Sequence, residues 1–99
     1  MRNVKDANGF AVLENGRRVQ TAVMALEPGQ ASGPLGNEHP SSEQVLFVVD
    51  GEVEAVIGSE QFTMHAGDSA IVPPGTPHRF VNGAARPALT FNVYSPKAY

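Results

Sequence analysis

Gly67-Asp68-Ser69-Ala70-Ile71-Val72-Pro73-Pro74-Gly75-Thr76-Pro77-His78-Arg79-Phe80-Val81-Asn82 is the stretch on which the fold turns. Ala66-Gly67-Asp68 and Pro73-Pro74-Gly75 are turn signals, because glycine accepts positive φ and proline fixes φ in advance. A short strand fits between them, and His78 opens the next one. Period-two alternation then places His78, Phe80 and Asn82 on one face. Phe80, sharing a face with His78, is the candidate pocket wall. Asn82 is expected to tie down the end of its strand.

The same punctuation extends outward in both directions. Asn8-Gly9, Asn15-Gly16, Pro28-Gly29, Asp50-Gly51, Gly58-Ser59 and Asn82-Gly83 separate short segments rich in Val, Ile, Phe and Thr. Regular short strands between such turns predict an all-β sandwich or barrel. No stretch keeps a helical period free of Gly and Pro; the best short-helix candidate, residues 6–13, is interrupted at Gly9. Asn15-Gly16 and Asp50-Gly51 read as type I′ hairpin turns. The arms of the second would be residues 44–49 and 52–57. Residues 27–43 hold three prolines, three glycines and few large apolar side chains, which predicts an ordered loop of functional length. Phe47, Phe80, Phe91 and Tyr94 read as core or pocket wall, and residues 90–96 as the closing strand.

A chain of 99 residues fits one compact domain spanning residues 1–99, and 41% hydrophobic residues suffice for its core. The net charge is −3 and the longest basic run is Arg17-Arg18, so no nucleic-acid partner is expected. Cysteine is absent, which excludes disulfides, thiolate ligands and a cysteine nucleophile. The segment Met-Arg-Asn-Val-Lys-Asp carries no apolar signal core, and no stretch is long enough to span a bilayer. The expectation is a soluble, cytoplasmic protein without a membrane partner.

Residues 67–82 resemble the second motif of the cupin superfamily, G-x5-P-x-G-x2-H-x3-N, at every fixed position: Gly67, Pro73, Gly75, His78 and Asn82. Upstream, Asn37-Glu38-His39-Pro40-Ser41-Ser42-Glu43-Gln44, followed by Gly51, is similar to the first motif, G-x5-H-x-H-x3–4-E-x6-G, with departures. Counted back from Gly51, the acidic position is Gln44, the second histidine is His39 and the first histidine is replaced by Asn37. The upstream glycine position is Ala31. The resemblance implies a double-stranded β-helix, the jelly-roll barrel of small single-domain cupins. It also implies one divalent metal ion inside, Zn, Ni, Mn, Fe or Co, held by His39, Gln44 and His78 with Asn37 as a fourth ligand.

With His, His and Gln the protein ligands are all neutral. A bound ion then keeps its full charge and is the stronger Lewis acid, but is held less tightly than by a carboxylate. The two-histidine-one-carboxylate triad of non-haem iron oxygenases is missing. The expected chemistry is therefore isomerisation, tautomerisation or lyase action on a sugar, sugar acid or other small polar carbonyl compound, as in cupins described as mannose-6-phosphate isomerase-like. The alternative is a non-catalytic barrel that binds a metal or small molecule at a degenerate site. For Gln44 the competing role is a hydrogen bond across the barrel, and for Asn37 a turn. Glu38, Glu43 and His65 read as surface residues. Exposed sheet edges and the habits of the family point to a homodimer.

Overall fold

A computed structural model describes residues 1, 3–6, 9–33, 36 and 39–99. After a single 3-10 turn at Val4–Asp6, eight strands follow. They are β1 (Phe10–Asn15), β2 (Gln20–Leu26), β3 (Glu43–Asp50), β4 (Glu52–Ile57), β5 (Glu60–His65), β6 (Ser69–Val72), β7 (His78–Val81) and β8 (Ala88–Ser95). The helix considered for residues 6–13 does not form. Gly9 takes φ 67° and Phe10 enters a strand, so a left-handed residue breaks any helical run there.

All pairings are antiparallel. A five-stranded sheet runs β1-β2-β8-β3-β6 and a three-stranded sheet runs β5-β4-β7. From β3 onward the chain passes back and forth between the two sheets, with β4 and β5 together in the smaller one, which makes the double-stranded β-helix expected from the sequence. Among the described residues no helix is long and apolar enough to cross a membrane.

Two turns differ from the sequence reading. Asn15-Gly16 does lie between paired strands, but Asn15 still pairs with Gln20 in the ladder. The connection is four residues long, closed by the Gly16 N–H donating to the Val19 carbonyl at 2.8 Å. Among the described residues only glycines have positive φ, so neither Asn15 nor Asp50 can occupy the first position of a type I′ turn. Asp50-Gly51 is not a hairpin at all. Both sides of β3 are occupied, by β6 and β8, so β4 leaves for the other sheet. Gly51, at φ 81°, is the corner. A Cβ there would lie 2.7 Å from the Pro87 carbonyl oxygen, so only glycine lets the two segments close. The true tight hairpin is Gly58-Ser59 between β4 and β5, where Gly58 at φ 59° leads, as in a type II′ turn.

The interior is graded along its length. One end is apolar: Leu46, Val48, Val53, Ala55, Met64, Val72 and Phe80 are all at most 2% exposed. The other end is polar, and register explains how. Gln20 of β2, Tyr94 of β8 and Gln44 of β3 pair side by side and all face inward. The next row inward is Ala22, Asn92 and Leu46, then Met24, Thr90 and Val48. One polar row therefore crosses three strands at the barrel mouth. Phe47 falls on the opposite parity from Gln44, Leu46 and Val48 and is 37% exposed. The expectation of a core or pocket role for it is corrected by that alternation.

Candidate metal centre

The loop before β3 and the start of β7 deliver the two histidines to the same place. His39 and His78 are buried, with ring centroids 4.6 Å apart and planes tilted by 41°. Tyr94 meets His39 edge-on at 5.3 Å, and Phe80 lies 6.1 Å from His78. The turn Pro73-Pro74-Gly75 and the bond from the His78 N–H to the Gly36 carbonyl at 2.9 Å fix where β7 begins. The spacing of the 67–82 segment thus does what it promised: His78, Phe80 and Asn82 all point inward.

Backbone carbonyls set the tautomers. His78 Nδ1 lies 2.9 Å from the Thr76 carbonyl oxygen, and His39 Nδ1 lies 3.4 Å from that of Ser42. A carbonyl only accepts, so Nδ1 carries the proton in each ring and the neutral form has its lone pair on Nε2. Gln44 is oriented in the same sense. Its amide N–H donates to Asn92 Oδ1 at 2.9 Å, the Asn92 amide donates to Thr90 Oγ1 at 3.1 Å, and the Thr90 hydroxyl donates to the Met24 carbonyl at 3.1 Å. This chain descends the barrel to a backbone acceptor, leaving Gln44 Oε1 as the end of the amide without a hydrogen-bond partner.

Two buried atoms have no hydrogen-bond partner among the described residues: His39 Nε2 and Gln44 Oε1. Each is an acceptor, and an unmet buried acceptor costs about 1–3 kcal/mol. A cation resolves both at once, and imidazole nitrogen with amide oxygen suits the borderline divalent metals. The residues present therefore fit the ion that the sequence pattern implies. Among the described residues no three His, Cys, Asp or Glu side chains gather around a point; the expected third donor, Gln44, is an amide.

Asn37, the expected fourth ligand, lies outside the described residues, as does Glu38. Glu43 is exposed on the outer parity of β3, and His65 is 67% exposed near Glu52 and Asp68. Asn92, Thr90 and Ser42 were not singled out by sequence. Asn92 and Thr90 lie on the inward side of β8, the more polar of its two sides, while Ser42 acts through its backbone carbonyl, which no side-chain pattern marks.

A cavity of about 260 Å³ opens beside the centre, lined by Met24, Ser32, Gln44, His78, Phe80, Asn92 and Tyr94, with Phe10 and Tyr99 at its mouth. An antiparallel barrel with paired imidazoles at one end of its interior defines the class: a β-barrel pocket protein with a candidate metal centre. The model of the cupin domain family matches residues 22–94, and the chain belongs to that family.

A solved structure from Thermus thermophilus is similar over 97% of this chain and 96% of that one, at 30% identity and TM-score 0.84. A sugar phosphate isomerase of the cupin superfamily from Silicibacter pomeroyi is 27% identical, with TM-score 0.75, over 90% of this chain and 60% of that one. Quercetin 2,3-dioxygenase of Bacillus subtilis (strain 168) is 28% identical over 71 residues, 70% of this chain and 21% of that protein. The chain spans 50%, 21% and 63% of the lengths of the curated relatives it matches.

Proposed function

We propose that His39, Gln44 and His78 hold one divalent metal ion, and that the adjoining cavity binds a small molecule through a carbonyl or hydroxyl oxygen. The observation that carries this reading is the pair of buried, unmet acceptors, His39 Nε2 and Gln44 Oε1, beside the His78 ring. When bound, such an ion supplies Lewis-acid polarisation of the ligand's oxygen. The chain's own part is to orient and to exclude water. Thr76 and Ser42 hold the imidazoles through Nδ1 so that Nε2 is the atom left to bind, Asn92 orients the Gln44 amide, and Phe80 and Tyr94 wall the site. Isomerisation, tautomerisation or lyase action on a small carbonyl compound is the chemistry this reading supports.

Asn92 offers a direct test that leaves all three donors in place. Asn92→Leu removes the acceptor that orients Gln44, so the affinity of metal-stripped protein for Co²⁺ should fall roughly 10–100-fold, as for other outer-shell changes. Titration followed by the visible absorption of Co²⁺ reads it. An unchanged affinity would remove Gln44 from the ligand set.

A second reading, a binding module without turnover, has one observation in its favour. Among the described residues lining the cavity there is no Asp, Glu, Lys or Arg to serve as general acid or base. Substrate turnover by metal-loaded protein separates the two.

We also propose a homodimer through the outer face of the five-stranded sheet, where Val45, Phe47, Val49 and Ile71 remain 37–56% exposed. Apolar side chains grouped on one sheet face are the usual mark of an interface. Phe47→Lys should convert a sedimenting dimer to monomer without unfolding it. A parent protein that sediments as monomer at micromolar concentration would end this proposal.

A further inference from the structure

The cavity's wall says more about its ligand than the metal centre does. Phe10, Met24, Phe80, Tyr94 and Tyr99 make most of it, and among the described lining residues no side chain is charged. The polar lining groups are largely engaged with the protein. Asn92 is bonded through both its amide oxygen and its amide nitrogen, and Ser32 Oγ accepts from the Phe80 N–H at 3.0 Å. Gln44 and His78 form the polar end of the lining. A sugar ring needs polar partners on several sides, and a phosphate or carboxylate needs cationic or N–H donors. Neither requirement is met here. The site is polar at one end and aromatic at the other.

The aromatic end is a built feature. Tyr99 packs on Phe10 at 4.8 Å between ring centroids and meets Tyr94 edge-on at 5.2 Å. Its backbone is clamped by Gln20, a glutamine only 1% exposed. Gln20 Oε1 accepts from the Tyr99 N–H at 2.9 Å and the Ala98 N–H at 3.2 Å. Gln20 Nε2 donates to the Tyr99 carbonyl and to Asn15 Oδ1, each at 2.7 Å. Three of this buried amide's four bonds hold one short segment against the cavity mouth, and the fourth ties it to Asn15. A leucine of similar size would fill the space without fixing that segment.

We propose that the cavity selects a small uncharged molecule with an aromatic or flat apolar face and an oxygen at one end, and that Tyr99, positioned by Gln20, is a specificity-determining wall. The proposal rests on the reading that this cavity is the binding site, but it does not need the metal. It narrows the substrate class away from sugar acids and sugar phosphates.

The test uses the full chain stripped of metal, with catechol, glucose and glucose 6-phosphate as probes, followed by calorimetry and amide NMR. Catechol should bind at least about 10-fold tighter than either sugar and should shift the amides of Phe10, Tyr94 and Tyr99; tenfold corresponds to roughly the strength of one or two aromatic contacts. Tyr99→Ala and Gln20→Leu should each weaken catechol about 10-fold while leaving Co²⁺ affinity unchanged. Glucose 6-phosphate binding as tightly as catechol overturns the proposal. So does a Tyr99→Ala variant that is folded and binds catechol like the parent. A protein that binds catechol this way but never takes up Co²⁺ supports the proposal and sinks the metal reading instead.

Discussion

Protein purified without added metal should carry about one divalent ion per chain, and His39→Ala and His78→Ala should each lose it. The expected loss in affinity exceeds the roughly 10–100-fold of an outer-shell change, because each substitution removes one of three donors outright. His78 is the more tightly prepared of the two, with its Nδ1 proton on the Thr76 carbonyl at 2.9 Å against 3.4 Å for His39 and Ser42. Stability gives an independent readout. An ion that binds only the folded chain stabilises it by about 2.7 kcal/mol when free metal is 100 times Kd. Heating the stripped parent with and without Zn²⁺, Ni²⁺, Mn²⁺, Fe²⁺ or Co²⁺ should show this rise in Tm for at least one of them. The two alanine variants should show none. In the stripped protein His39→Ala also removes a buried nitrogen that has no partner, so its own unfolding temperature should fall less than that of an ordinary core truncation. A parent that purifies without metal and gains no stability from any of the five ions would falsify the metal assignment. It would leave the binding-module reading standing.

Neutral donors make this outcome sensitive to conditions in a definite way. With no carboxylate among His39, Gln44 and His78, no charge-assisted bond would anchor an ion held by the proposed set, and chelators should strip it readily. The orienting chain through Asn92 and Thr90 to the Met24 carbonyl offsets part of that weakness, because Gln44 needs no rearrangement to present its oxygen.

The barrel was legible because its punctuation is chemical. Gly67, Gly75 and the prolines at 73 and 74 allow few backbone paths, and each turn they set is where the motif spacing put it. The inward face of β7 followed from period-two alternation alone. Strand β8 resisted the same reasoning because its parity is inverted: Leu89, Phe91 and Val93 face outward while Thr90, Asn92 and Tyr94 are buried. A rule that sends apolar side chains inward picks the wrong side there. The strand lies at the centre of the larger sheet, and its inward face meets the polar end of the barrel. Asp50-Gly51 misled for a related reason. The dipeptide encodes a positive φ at glycine, but whether the next strand returns beside the last depends on which edges are free. That is a property of the whole sheet, fixed by residues far away in sequence. Gln20 and Tyr99, 79 positions apart, meet only once β1, β2 and β8 are in register.

Asn82 closes the motif and is the residue whose loss should cost the fold most per atom removed. It is completely buried. Its amide nitrogen donates to the Leu26 carbonyl at 2.9 Å and the Arg86 carbonyl at 2.8 Å, and its oxygen accepts from the Ala84 N–H at 3.0 Å. These bonds join the end of β2 to the loop that leads from β7 into β8. Asn82→Ala deletes all three and leaves the Leu26 carbonyl buried without its partner, at about 2–4 kcal/mol in total. For a domain of this size that is a fall in Tm of roughly 10–25 °C, and a large part of its whole stability. Asn82→Asp should be no better, since it keeps the shape but turns a second oxygen toward two carbonyls. Neither variant touches the ligand set. Measured well below its transition, folded Asn82→Ala should bind metal like the parent. An unchanged Tm would mean that the loop holds itself without Asn82, and a folded variant that has lost its metal would place this residue in the site rather than in the scaffold.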